Sequence, residues 1–213
     1  MKTKVCTMKT KARITLLGLV MIIALCYVNF ANAESNSATG AAAQSGGAGA
    51  AVNLDFQIVI PSFILFRVGT DGGIIDQIQF TPTADEVANA TAGIAGTGGD
   101  LGSGTVTVSL ISNAGGVDIT ETNNSGGNGL GDGLGNFISY GQINTGSNNG
   151  NLPAPALSNA ASNSVSITPT AGNITVRNAQ WTYTYDNPAT IPEAGTYGGV
   201  TNGGRVTYTA AIP

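Results

Sequence analysis

Val52-Asn-Leu-Asp-Phe-Gln-Ile-Val-Ile-Pro61 runs without a break into Ser62-Phe-Ile-Leu-Phe-Arg-Val68. Val52, Leu54, Phe56, Ile58 and Ile60 fall on alternate positions, with Asn53, Asp55 and Gln57 between them. That is the two-residue period of a strand with one buried face. Pro61 interrupts any continuous ladder, so the two halves can pair separately. Ser62 to Val68 reads as the ordinary first strand of a β fold. Val52 to Ile60 has two readings: a first strand in the chain's own sheet, or a donor strand that completes the sheet of a neighbouring copy by strand addition. At about 1.5–3 kcal/mol per buried side chain, its five apolar residues represent a gross burial on the order of 10 kcal/mol.

Upstream of this stretch nothing can form a core. Glu34 to Ala51 is Ser, Gly, Ala, Asn and Gln with one charge, a composition that cannot offset its ordering entropy, and it reads as a flexible tether. Met1 to Arg13 is basic, Ile14 to Val28 is apolar, and Ala31-Asn-Ala33 places small residues where a cleavage site needs them. Residues 1–33 therefore read as a secretory signal peptide rather than a membrane anchor, because the apolar run is shorter than the roughly 20 residues a spanning helix requires. Met8 could serve as the initiator, since Met8-Lys-Thr-Lys-Ala-Arg13 is by itself an adequate basic region.

Cleavage after Ala33 would remove both cysteines, Cys6 and Cys26, every methionine and every lysine, and the chain has no histidine. Three arginines, Arg67, Arg177 and Arg205, then stand against twelve carboxylates, a formal balance of −9. Such a surface repels nucleic acid and anionic lipid, which excludes both as partners. No disulfide is possible in the exported chain, so stability must come from packing, metal or association. Without His, Cys or Lys, most transition-metal sites and nucleophile–base pairs are missing. The expectation is no enzyme and no cofactor.

Downstream, short alternating segments are separated by Gly and Asn clusters. Gly69 to Gly73 reads as a turn, Ile74 to Phe80 as β, and Asp85 to Ala90 as the one place with helical character. Thr105 to Ile111 and Val117 to Glu121 alternate, with Gly115-Gly116 between them read as a hairpin turn. Asn123 to Gly135 is a loop, Asn136 to Ile143 a strand candidate, Asn144 to Asn151 a loop, and Ser164 to Thr168 and Asn173 to Arg177 are strands. Trp181, Tyr183 and Tyr185 alternate with threonines, as do Val206, Tyr208, Ala210 and Ile212 with Thr207, Thr209 and Ala211. These two segments are expected to pair antiparallel across the long connection Asp186 to Gly204 and to bury Trp181, Tyr183, Tyr185 and Tyr208 as the aromatic core. Many short strands with polar turns predict a single all-β sandwich or barrel over residues 62–213, and glycine shows no fixed period that would mark a solenoid.

Candidate sites have ordinary alternatives. Asp132-Gly-Leu-Gly-Asn136, Asp71-Gly-Gly73 and Asp186-Asn187 resemble pieces of calcium loops, but Asp-Gly and Asn-Gly also make turns, and the twelve-residue loop with its terminal glutamate is absent. Asp85-Glu86 could be set against glycoside hydrolysis, yet adjacent carboxylates on a polar turn more often belong to a solvated surface. Trp181, Tyr183 and Tyr185 share one face, which serves either a sugar platform or, as favoured here, the core. Asn89, Asn123 and Asn173 open glycosylation triplets that so much Asn, Ser and Thr produces by chance.

The signal peptide, the tethered N-terminal strand, an all-β body of this size and a β-rich C-terminus together resemble bacterial fimbrial subunits that polymerise by donor-strand exchange, the chaperone–usher pilins and their relatives. The resemblance implies an incomplete immunoglobulin-like or jelly-roll-type β-sandwich with an N-terminal extension strand. It implies a secreted homopolymer, an extracellular filament used in adhesion or biofilm. A periplasmic chaperone and an outer-membrane assembly protein are the implied partners, and no membrane span remains after signal cleavage. The chain departs from that pattern: it lacks a cysteine pair in the exported part, has no glycine in residues 52–60, and ends Ala-Ala-Ile-Pro213. The expected function is strand donation through Val52, Leu54, Phe56, Ile58 and Ile60. The alternative is a monomeric carbohydrate-binding or adhesive module whose first strand stays in its own sheet.

Overall fold

The computed structural model describes residues 36–159 and 162–213, so the segment read as a signal peptide, residues 1–33, lies outside the described residues. The chain divides into two compact units at Val59/Ile60. Among the described residues of the first, a 3-10 turn spans Gly40–Ala43, followed by the bonds Gly47 N–H to Gln44 O and Gly49 N–H to Ala42 O, both 2.9 Å. The segment read as a flexible tether thus includes one short turn, in which three successive alanines, the best helix formers, follow a glycine that takes φ +61°. From Ala48 to Val59 no ladder forms.

The second unit, Ile60 to Pro213, is almost wholly β. Its strands are β1 Ile64–Val68, β2 Ile78–Gln79, β3 Ile94–Ala95, β4 Thr97–Gly98, β5 Thr105–Ser112, β6 Val117–Asn123, β7 Leu130–Gly131, β8 Phe137–Ile138, β9 Ile143–Ser147, β10 Asn163–Ile167, β11 Thr175–Tyr185 and β12 Val206–Ala211. One sheet has the order β1-β5-β11-β3, with β9 also on β11; a second has the order β10-β6-β12; β2-β4 and β7-β8 are small ribbons, and the main ladders are antiparallel. The two larger sheets face each other across one core, which makes the body a β-sandwich.

Two pairings differ from the sequence reading. β5 and β6 are not a hairpin: Gly115-Gly116 carries the chain from one sheet to the other. The reason lies in their buried faces, Val106, Val108 and Leu110 on β5 and Val117 and Ile119 on β6, which cover each other only when the strands occupy opposite layers. Nor do β11 and β12 pair. Their aromatic residues meet across the core instead, with the Trp181 and Tyr208 rings 5.2 Å apart edge to face, and the Tyr183 and Tyr208 hydroxyls 2.9 Å apart. The segment expected as β over 74–80 keeps only Ile78–Gln79, and Asn136 to Ile143 becomes β8 followed by a 3-10 turn, Tyr140–Gln142. Asn144 to Asn151, read as loop, contributes β9, which docks on Trp181–Tyr185 and is a product of that long neighbour rather than of its own composition.

Trp181 is fully buried and its Nε1–H donates to Leu152 O at 2.9 Å, so the indole has both its apolar contacts and its polar partner. Tyr140 is buried with its hydroxyl donating to Gly203 O at 2.6 Å. Burial and the nearby Glu121 charge push the Tyr140 phenol up to about 12, and burial does the same for Tyr183. The only described α-helix is α1, Ala84–Ala88. Thr83 caps it: its Oγ1 accepts from Glu86 N–H, and the Glu86 carboxylate accepts from Thr83 N–H at 2.7 Å.

Candidate functional site

The first component of the site is the exposed apolar stripe. Val52, Leu54, Phe56, Ile58 and Ile60 are 60%, 77%, 86%, 86% and 74% exposed, although their period is that of a half-buried strand. Exposed large apolar residues in a continuous run are costly in water and mark a surface meant to be covered.

The second component is a gap in the body. β1 and β12, its first and last strands, are the edges of the two sheets on the same side of the sandwich, and they approach each other without any ladder joining them. Each is paired along one edge only, β1 with β5 and β12 with β6. Their inward residues, Ile64, Phe66 and Val68 on β1 and Val206, Tyr208 and Ala210 on β12, pack against the core yet stay only half-buried. One strand inward, Val108, Leu110 and Ile119 are wholly buried. The core is thus incompletely covered along the β1–β12 seam.

The opposite side is closed. Between β9 and β10 the segment 148–159 lays Leu152, Pro155 and Leu157 over the core, held by the Trp181 indole and by Asn163 Nδ2 donating to Ala156 O at 2.8 Å. The outer edge of β11 is also satisfied by side chains: Gln180 N–H donates to Asn148 Oδ1, Asn149 Nδ2 to Asn178 O, and Val176 N–H to Thr170 Oγ1. Among the described residues no comparable bond reaches the free edges of β1 or β12.

Asn113 marks the start of the body. Its Oδ1 accepts from Phe63 N–H and its Nδ2 donates to Pro61 O, both at 2.9 Å, so one amide side chain extends the β1–β5 ladder to the proline. No feature of the sequence signalled this grip, because Asn113 sits in what reads as a turn.

The other candidates have structural roles. Asp132 accepts from Leu134 N–H, Asn136 N–H and Asn136 Nδ2, and the Asn136 side chain above all holds its carboxyl below the usual range. Asp186 accepts from Gly93 N–H and Asn144 Nδ2, and Asp71 lies 3.9 Å from Arg67 on the surface. Glu86 is occupied by the α1 cap, whose Thr83 backbone bond lowers its pKa. Trp181, Tyr183 and Tyr185 are 0%, 7% and 6% exposed and are core, not a platform; Tyr208 lies half-buried in the seam. Asn123 uses its amide on Glu121 Oε1 and Ser158 O. The alternation of β6 also hid a buried carboxylate, Glu121, in register with Tyr208. Among the described residues no group of three or more His, Cys, Asp or Glu could hold a metal, and no helix is long and apolar enough to cross a membrane. No protein-family model matches the chain, and comparison with curated proteins and with solved structures returns no match.

Proposed function

We propose that this chain is the structural subunit of an extracellular filament, in which residues 52–60 of one copy fill the β1–β12 seam of the next. The observation that carries this reading is the coexistence of two incomplete parts. A stripe of five alternating apolar side chains stands exposed and joins no ladder, and one seam of the sandwich leaves its core half-covered between two free strand edges. A strand placed there offers backbone groups to both edges and apolar side chains to the core, the two elements of recognition by strand addition. Scaling full burial by the observed exposures gives on the order of 8 kcal/mol gross for the five side chains. Ladders on both flanks add to it and oppose the cost of association.

The chain after residue 33 has no histidine, cysteine or lysine, a composition that supports a structural rather than an enzymatic role. An open seam also calls for a temporary occupant before assembly, which is the part a periplasmic chaperone would play before an outer-membrane assembly protein. The competing reading, a monomeric glycan-binding module, draws on an open depression of about 500 Å³ beside Asn136, Phe137, Glu193 and Tyr197. Electron microscopy of the exported protein, beside a variant lacking Glu34 to Ile60, separates the two. Filaments from the intact chain and none from the shortened one support donation. Compact monomers of the same fold from both sink it and move the question to glycan screens.

A further inference from the structure

Resting on strand donation, a second contact between successive copies follows from the direction of the strands. β1 runs antiparallel to β5, and β12 antiparallel to β6. Ile64, Ser112, Thr175 and Ala211 therefore lie at one end of the sandwich, with Pro61 just beyond them. Val68, Thr105 and Val206 lie toward the other end, followed by Gly69, whose N–H donates to Thr107 O. β1 and β12 run in opposite directions, so a strand in the seam is antiparallel to one and parallel to the other. The Ile64 end is where the acceptor's own chain leaves at Pro61, held by Asn113, so the incoming strand has its root at the Val206 end and runs antiparallel to β12. The Pro61 end of the donor then abuts the Val206 end of the acceptor. This is a heterologous, head-to-tail contact, the kind that propagates.

Both abutting ends carry uncovered apolar groups. On the outer face of the larger sheet, Leu65, Ile111 and Val176 are direct cross-strand neighbours, and Phe63 and Ile174 flank Asn113 one row further toward Pro61. They are 60%, 37%, 45%, 41% and 52% exposed, whereas the outer face beyond them is polar: Ser109 and Asn178, then Thr107 and Gln180, then Thr105 and Thr182. At the other end, the loop after β1 is closed by Asp76, whose carboxylate accepts from both the N–H and the hydroxyl of Thr70. That closed loop presents Ile74 and Ile75, 68% and 70% exposed.

We propose that the patch of Phe63, Leu65, Ile111, Ile174 and Val176 on each subunit packs against the Ile74–Ile75 loop of the next copy. Donation joins the copies through a single strand, and this contact fixes the angle between their bodies. The occupant is a second copy because the patch is continuous with the root of the donated strand. Any chain that fills a neighbour's seam in this direction brings the two ends together.

The test uses the full chain with two cysteine pairs, Ile174→Cys with Ile74→Cys and Leu65→Cys with Ile75→Cys. Within one copy Ile174 and the loop are separated by the length of β1 and more, roughly 17 Å at 3.3 Å per residue, which is beyond the Cα spacing of a disulfide. Filaments are oxidised, boiled without reductant and run beside the parent chain, which controls for Cys6 and Cys26, and beside chains with one introduced cysteine each. A covalent ladder that only a paired variant gives, and that reductant abolishes, is the expected result. If neither pair gives one while the unboiled filaments still run as a dissociation-resistant ladder, the second contact is overturned and donation stands. If the parent chain itself gives no unboiled ladder, donation fails and this inference falls with it.

Discussion

Phe56→Ala separates the donated strand from the fold that carries it. The ring is 86% exposed and its segment joins no ladder. Truncation should therefore leave the unfolding of the soluble monomer within about 0.5 kcal/mol of the parent, the usual range for a surface position. Enclosed in a neighbour's seam, the same ring faces core conditions, where Phe→Ala costs about 3–5 kcal/mol. At about 1.4 kcal/mol per tenfold, the junction should weaken on the order of 10²- to 10³-fold. The assay heats filaments stepwise in detergent, follows the loss of the ladder on a gel, and measures urea unfolding of the soluble monomer in parallel. The ladder should disperse at a lower temperature in the variant while the monomer midpoint stays put, and Phe56→Leu should restore most of the difference. An unchanged ladder refutes donation through this residue. A fall in both measurements means that Phe56 supports its own domain, which refutes the reasoning from exposure.

Trp181→Ala should cost about 3–5 kcal/mol, because it empties the centre of the core and strands Leu152 O; circular dichroism against urea reads this. Thr83→Ala removes the cap of α1 and should cost about 1 kcal/mol, seen as faster amide exchange at Val87 and Asn89 with the rest of the domain unchanged. Folded Tyr183 holds its proton to about 12, whereas unfolded tyrosine releases it near 10. Its contribution is therefore intact below about pH 10 and is lost as pH rises toward 12, by at most about 3 kcal/mol. With Tyr197, which is not buried, replaced by Phe, tyrosinate absorbance should rise together with unfolding, and a rise that clearly precedes unfolding would contradict the burial. Asp76→Ala removes both bonds that close the loop after β1, so amide exchange at Thr70 should accelerate while the β1–β5 ladder stays protected.

The all-β class was legible because alternation of period two survives in every long strand: Val106, Val108 and Leu110, or Trp181, Tyr183 and Tyr185, point inward as their spacing requires. What alternation cannot convey is the layer each strand joins. Gly115-Gly116 has the composition of a hairpin, yet sheet membership depends on which apolar faces must cover each other, a relation among distant segments. β9 shows the same limit, since Asn144 to Ser147 is polar and becomes a strand only because β11 is long enough to template it. Of the site, the apolar stripe could be read directly, as could the break at Pro61. The seam could not, because it lies between the unpaired edges of the first and last strands of the body and leaves no residue signature. The Asn113 clasp was hidden for a related reason: an asparagine in a turn and an asparagine that extends a ladder look the same in a string of letters.

The β1–β5 ladder also has a mechanical meaning in a filament of the proposed kind. Tension would reach each subunit through the strand lodged beside β1 and leave it through Pro61 at the head of the same β1. The pull is along the strand axis, and antiparallel ladder bonds lie across that axis. All five residue pairs from Ile64↔Ser112 to Val68↔Val108 would then be loaded at once in shear, instead of being peeled one after another. The Asn113 amide would take up load ahead of them, so single-filament pulling should find Asn113→Ala yielding at lower force than the parent. Equal rupture forces would show that tension bypasses β1.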